Sequence, residues 1–274
     1  MDVSSVDFKG KIMPKNQNET KKIINNYWLN KEERKMSASD HHRLMMETQK
    51  EAIKSSVNRS KIYSFLDLNF ERGNPKQIFK NTDSVSALFD ISEDGKICLL
   101  NFASFKHPGG GFMNGSSAQE ESLCHESILY EVISDEKFRD YYDWNNKHLN
   151  RGLYHNRAIY SPDVLFFRNG QTRKADVITC AAPNITAAYQ YQGVDDDENF
   201  NVLRSRMQFI ADIMAENKVN IAILGGFGCG VFGQFPEDVA DIWKNLYYGD
   251  SMNLIIHPVI GAERNVEVFK DTFK

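Results

Sequence analysis

The stretch Asn101-Phe-Ala-Ser-Phe-Lys-His-Pro-Gly-Gly-Gly-Phe-Met-Asn-Gly-Ser-Ser-Ala-Gln-Glu-Glu121 is the most informative part of this 274-residue chain. It follows Ile97-Cys-Leu-Leu100, an apolar run of the length of a buried strand. Three consecutive glycines, Gly109 to Gly111, lose the most chain entropy on ordering, so they make sense where backbone must approach something closely. Seven residues later Gln119, Glu120 and Glu121 open a helix-like segment that runs to Ile133. A glycine-rich loop that brings paired carboxylates to the end of a strand is the layout of a catalytic site.

Working outward, short apolar runs at 61–66, 97–102, 164–167, 177–180, 219–224 and 254–257 read as strands. Their continuous rather than alternating apolar character predicts a sheet covered on both faces. Between them, residues 118–133, 199–217 and 236–247 have helical spacing, and the alternation predicts an α/β layered domain. Upstream, Met45, Gln49, Ala52, Ile53 and Val57 predict one amphipathic helix from an N-cap at Ser39 or Asp40 to about Val57. The polar residues 1–20 read as a loosely packed tail. The expected division is a tail and helical extension over residues 1–60 and a catalytic domain over 61–274.

Composition narrows the function classes. Hydrophobic residues make up 41% and charged residues 26%, an ordinary soluble balance, and no apolar run approaches the length of a membrane span. Met1-Asp-Val-Ser-Ser-Val-Asp7 lacks the pattern of a signal peptide. Cys98, Cys124, Cys180 and Cys229 are scattered without CxxC spacing and read as thiols of a reducing compartment, so a cytoplasmic protein is expected. The net charge of −4 divides into +5 over residues 1–62 and −9 over the rest. An acidic body argues against nucleic-acid binding, which needs Lys and Arg to displace counterions. The basic arm reads as a solvated helical face, with contact to an anionic polymer as the alternative.

Three further features have bland readings. Asp195-Asp-Asp-Glu198 precedes a helix and lacks the arrangement of a calcium loop, so capping is expected. His41 and His42, near a helix start, are expected to be exposed. Gly228-Cys-Gly-Val-Phe-Gly233 fits GxGxxG, but a dinucleotide fingerprint opens a βαβ unit with several strands to come, and only one strand remains. What survives is a row of backbone amides at a loop-to-helix turn, suited to a diphosphate.

Together these motifs resemble the poly(ADP-ribose) glycohydrolases, in particular their bacterial-type branch, whose signature is GGG followed shortly by QEE. Tyr160-Ser-Pro-Asp-Val-Leu-Phe-Phe-Arg168, Ala175-Asp-Val-Ile-Thr-Cys-Ala-Ala-Pro-Asn184, Gly225-Gly-Phe-Gly-Cys-Gly-Val-Phe-Gly233 and Pro236-Glu-Asp-Val-Ala240 resemble further blocks of that family in the same order. The resemblance covers roughly residues 27–273. One departure is His107, where the family often has Asn. The resemblance implies a macrodomain-like fold, a mixed sheet between helices with an N-terminal helical extension.

It also implies hydrolysis of ribose-ribose O-glycosidic bonds in exo mode, releasing ADP-ribose. Glu121 would serve as acid and base, Glu120 would orient ribose hydroxyls, and Asn101 would bond the terminal ribose. Gln119 and Gly109, Gly110 and Gly111 would complete the near side of the cleft. Gly228, Cys229, Gly230, Val231, Phe232 and Gly233 would hold the diphosphate, with Phe232 beside a ribose. No metal or cofactor enters this scheme, and a monomer acting on ADP-ribose or poly(ADP-ribose) on modified proteins is expected. Two other readings stay open: an ADP-ribose-binding macrodomain without catalysis, against which the intact acid residues argue, and a hydrolase of another ADP-ribosyl linkage.

Overall fold

The structure is a computed structural model and describes residues 36–66, 68, 70–190 and 193–274. The expected tail and most of the basic arm lie outside the described residues. The chain begins with helices α1 (Ala38–Thr48) and α2 (Lys50–Arg59), then strands β1 (Lys61–Tyr63), β2 (Arg72–Gly73) and β3 (Lys76–Lys80). Helix α3 (Ser84–Phe89) leads to β4 (Ile97–Phe102), which is followed by α4 (Gln119–His125), α5 (Leu129–Ile133) and α6 (Arg139–Lys147). The long hairpin of β5 (Ala158–Arg168) and β6 (Gln171–Cys180) precedes α7 (Ile185–Ala188), α8 (Asp196–Glu216) and β7 (Ile221–Ile223). The chain closes with α9 (Pro236–Asn245), β8 (Tyr248–Gly249), β9 (Leu254–Pro258) and α10 (Glu263–Thr272).

Seven strands form one mixed sheet in the order β1-β5-β6-β4-β7-β9-β3. From β6 to β3 every neighbouring pair is parallel, and β5 and β1 add antiparallel strands at one edge. Successive side chains of a strand point to opposite faces, and β4 shows the consequence. Ile97 and Leu99 join a core with α1 to α5, while Cys98 and Leu100 join a second core with α8, α9 and α10. Both faces are covered, as the apolar strands predicted. Ala38, Leu44, Met45, Ile53 and Val57 put α1 and α2 into the first of these cores.

Several elements differ from the sequence reading for local reasons. The first helix is capped by Ser37, whose hydroxyl accepts from the Asp40 amide, and it breaks at Gln49, where the backbone leaves helical dihedrals. Thr48 Oγ1 bonds back to the Leu44 carbonyl at 2.7 Å beside that break, a bond that bends helices. The segment after QEE is also two helices. Between them the chain pairs with the edge of β5: Ile128 N–H donates to Leu165 O at 3.1 Å and Phe167 N–H to Glu126 O at 2.8 Å. Strand β5 is longer than expected and carries Pro162 at an irregularity between Ser161 and Val164, where a missing amide is tolerated. Asp195 caps α8 by accepting from Glu198 N–H at 2.8 Å, with Asp196 and Asp197 in the first turn, which is the capping role expected.

Candidate active site

The site is built at the carboxyl end of β4. That strand is paired to β7 only from Ile97 to Leu99, so beyond Leu99 its backbone on that side lacks a strand partner. Gln119 takes the vacant place. Its Oε1 accepts from Phe102 N–H at 2.9 Å, and its Nε2 donates to Leu100 O at 2.9 Å and to Ser84 Oγ at 3.3 Å. Both ends of the amide are thus engaged by the protein. Gln119 anchors the start of α4 to β4, and with it the two residues that follow.

Glu120 is 3% exposed. Its Oε2 accepts from Ser104 N–H at 2.7 Å and its Oε1 from Asn101 Nδ2 at 3.1 Å. Asn101, fully buried, donates also to Thr179 Oγ1 at 3.3 Å, its partner in register on β6. Burial pushes the Glu120 carboxyl up to about 8, and the charge of Glu121 adds to the rise; the Ser104 and Asn101 donors oppose it without reversing it. Glu121 is buried too, and its Oε1 accepts from Gly111 N–H at 2.8 Å. Two buried acceptors here, Glu121 Oε2 and Asn101 Oδ1, have no hydrogen-bond partner among the described residues.

The triple glycine is explained by this crowding. At Gly110, with φ +59°, an added Cβ would lie 2.6 Å from Glu121 Oε1 and 2.9 Å from Glu120 Oε2. The loop therefore closes directly over the carboxylates as well as bordering the cleft. Gly109, at φ +68°, is pressed against the Tyr130 ring, which a Cβ would meet at 2.6 Å. Behind the loop, Phe112 packs against His41, His125 and Tyr130. His41 is 1% exposed, so the expectation of an exposed histidine pair fails at this position. Burial, helped by the charges of His125 and His42, lowers it to about 3 and leaves it a neutral packing group.

The second glycine loop follows β7 and lies beside the first. Phe102 at the end of β4 meets the Phe227 ring at 5.8 Å between centroids. Gln234, buried, ties the loop to α8 and to the segment after β6 by donating to Asn199 Oδ1 at 2.9 Å and to Pro183 O at 2.8 Å. At Gly230 an added Cβ would meet nothing within 4 Å, and Val231 is 79% exposed, so this stretch of backbone faces open space. Phe232 is partly buried and lies 6.1 Å, edge to face, from Tyr154. Cys229 is half-buried, while the other three cysteines are buried, and all four are free thiols. His107 sits exposed on the first loop.

The structure thus brings Asn101, the triple glycine, Gln119, Glu120 and Glu121 together and sets residues 228–233 alongside. Sequence reasoning missed Ser104 and Thr179, which complete the Glu120–Asn101 network. Thr179 had a visible signal, a polar residue near the end of the apolar strand Val177 to Cys180. Tyr142, buried with its hydroxyl unpartnered among the described residues, is raised well above its ordinary value by burial and by the Glu120 charge, and no motif marked it.

A mixed sheet between helical layers, with two glycine loops at the strand ends and a carboxylate pair beneath one of them, defines an α/β domain of the macrodomain-like class. The model of the microbial-type PARG catalytic domain matches residues 17–169, more than half of the chain, and the chain belongs to that family of poly(ADP-ribose) glycohydrolases. It is a glycosidase by that membership. Among solved structures, the Deinococcus radiodurans poly(ADP-ribose) glycohydrolase in complex with ADP-ribose is similar at 25% identity and TM-score 0.70, over 80% of this chain and 96% of that one. The Thermomonospora curvata enzyme is similar at 22% identity and TM-score 0.70, over 94% and 100%. Its complex with the inhibitor ADP-HPD gives 23% and 0.68, over 94% and 98%. No curated protein matches the chain.

Proposed function

We propose that the protein removes ADP-ribose from the ends of poly(ADP-ribose) chains, with Glu121 as the proton-exchanging group. One observation carries the reading: Glu121 Oε2 and Asn101 Oδ1 are buried acceptors left without a donor among the described residues. A buried acceptor without a donor is costly, and ribose hydroxyls supply donors to both. The bound ADP-ribose of the Deinococcus radiodurans complex supports a ligand of this kind.

In this scheme Glu121 protonates the leaving 2'-oxygen while the bond to the anomeric carbon breaks, leaving an oxocarbenium-like centre. The carboxylate so formed accepts a proton from the incoming water, which adds to that carbon. Glu120 stays beside it, its proton retained at neutral pH by burial, and orients ribose hydroxyls. The amides of Gly228 to Gly233 receive the diphosphate, and Phe232 lies beside the ribose. Among the described residues no three His, Cys, Asp or Glu side chains are grouped as metal ligands, and the scheme uses none. No described helix is long and apolar enough to cross a membrane. A monomeric, cytoplasmic enzyme fits this reading.

Digestion of poly(ADP-ribosyl)ated protein, with products separated by size, tests the proposal. Free ADP-ribose accumulating from the first time points, without short oligomers, is the expected result. Early oligomers would overturn the exo mode, and an intact polymer would overturn the reaction itself.

A further inference from the structure

A second polar region adjoins the cleft and plays no part in the scheme above. It is a cavity of about 930 Å³, lined among others by Trp144, Tyr154, His155, Arg157, Glu198 and Arg206. That volume is large enough for a nucleotide-sized ligand, given that such sites run from about 300 to 1,000 Å³. Tyr154 separates it from the cleft. The Tyr154 ring stacks on Phe105 of the first loop, with centroids 4.3 Å apart, and meets Phe232 of the second loop edge-on.

The charge of the cavity is unusual. Arg206 is 1% exposed, yet its donors go to neutral oxygens: Nε to Asn156 Oδ1 at 2.7 Å, Nη2 to Leu153 O at 3.2 Å, and Nη1 to Ala181 O. The Arg157 guanidinium lies 4.3 Å from the Trp144 ring centroid and 5.1 Å from that of Tyr141. Its Nε is buried without a hydrogen-bond partner among the described residues. The one carboxylate among the described lining residues, Glu198, is already paired with Arg151. Burial lowers both arginines, and burial together with Arg206 and Arg157 lowers His155. Neither guanidinium has a carboxylate partner among the described residues, and Arg157, only half-buried, is the one of the two that an anionic ligand in the cavity would meet.

We propose that this cavity holds the diphosphate of the ADP-ribose unit next to the one being released. The polymer is then gripped on both sides of the bond that breaks. On the reading proposed above, Phe232 lies beside the ribose, and it meets Tyr154 at the wall of the cavity, so the linked unit leaves the cleft past Tyr154. The Arg157 guanidinium supplies charge and planar donors for a phosphate, and Arg206, its own donors engaged by protein oxygens, adds positive charge to the wall. The inference rests on the poly(ADP-ribose) reading above.

The test compares an ADP-ribose trimer with ADP-ribose itself, binding to a Glu121→Gln protein that does not turn the trimer over. In that background Arg157→Gln should weaken trimer binding about tenfold and make its dependence on log salt shallower by about one, as the loss of one phosphate contact does. ADP-ribose binding should change less than about twofold. Asn201→Asp, at an exposed position of the cavity rim on α8, should weaken the trimer in the same sense without removing any packing. Trimer affinity unchanged in both variants, or ADP-ribose weakened as much as the trimer, overturns the proposal. Failure of the glycohydrolase reading registers separately, as intact polymer in the wild-type digestion.

Discussion

Two ends of one short helix hold the same residue type in opposite conditions. At the start of α4, Glu120 and Glu121 are buried and meet only neutral donors, the amides of Ser104 and Gly111 and the side chain of Asn101. Just past its other end, Glu126 receives Arg168 through two hydrogen bonds of 2.6 Å, and the same guanidinium reaches Asp83 at 3.0 Å. Burial alone would raise the Asp83 carboxyl, but Arg168 and the Ser86 donors outweigh it and hold it at about 2. Burial of Glu120, with no cation to offset it, leaves that carboxyl at about 8. Arg168 binds its carboxylate partners into the fold, whereas Glu120, buried beside neutral donors, keeps its proton at neutral pH.

The sharpest way to break this contrast is at Glu121. Glu121→Gln keeps shape and hydrogen bonding but cannot exchange a proton, and general acid-base groups contribute about 10²- to 10⁴-fold. Since the proposed scheme has one residue serve both half-reactions, single-turnover hydrolysis should fall by about 10⁴ or more, while ADP-ribose binding measured by calorimetry stays within a few-fold. At the other end of the helix the loss should be of stability. Arg168→Met leaves Glu126 buried without its cation, a change that costs about 3–5 kcal/mol. Thermal unfolding should move down by on the order of 10 °C, with turnover per folded molecule retained.

Glu120 gives a test in pH. Its folded-state value of about 8 lies above the ordinary 4.5, so between those values the folded protein binds more protons than the unfolded chain. Stability is therefore lost as pH rises through that window. Glu120→Gln removes this contribution. Denaturant titrations at pH 5 and pH 8.5 should show wild type losing a few kcal/mol more than the variant over the same interval. A parallel decline in the two proteins would mean that Glu120 is an ordinary carboxylate.

Smaller effects concern the second loop and metals. Because a side chain at Gly230 meets open space, Gly230→Val should leave thermal stability within roughly 0.5 kcal/mol of wild type. It should weaken ADP-ribose binding by about tenfold, an effect of roughly 1.4 kcal/mol. Unchanged affinity in the folded variant would remove the loop from the phosphate site. Dialysis against EDTA, and then added magnesium, should each change the rate by less than about twofold, far below what a catalytic ion contributes.

Much of this was legible in the chain. Continuous apolar strands announced a sheet covered on both faces, and GGG before QEE placed the carboxylate pair at the end of β4. What was hidden depended on tertiary partners. Nothing in the local sequence separates Glu126 from Glu120, because the difference is made by Arg168, forty-two residues away. Gln119 looked like a ligand residue, yet its amide is spent on β4, a use visible only once β7 is seen to stop at Ile223. Strand β3 and helix α6 were missed, the first because Lys76 to Lys80 is bracketed by charge, the second because Arg139 to Lys147 has almost no aliphatic face. Arg157 and Arg206 carry no motif at all, and their meeting in one cavity follows from the packing of α8 beside the start of β5.

The contrast along α4 is tested most directly by a pH titration of protein carrying ¹³C-labelled glutamate carboxyls, followed by NMR. One carboxyl should titrate at about 8 and vanish from the Glu120→Gln spectrum. If every glutamate instead titrates below about 6, inside the range of ordinary carboxylates, then Glu120 holds no proton at neutral pH and the account of the site is wrong.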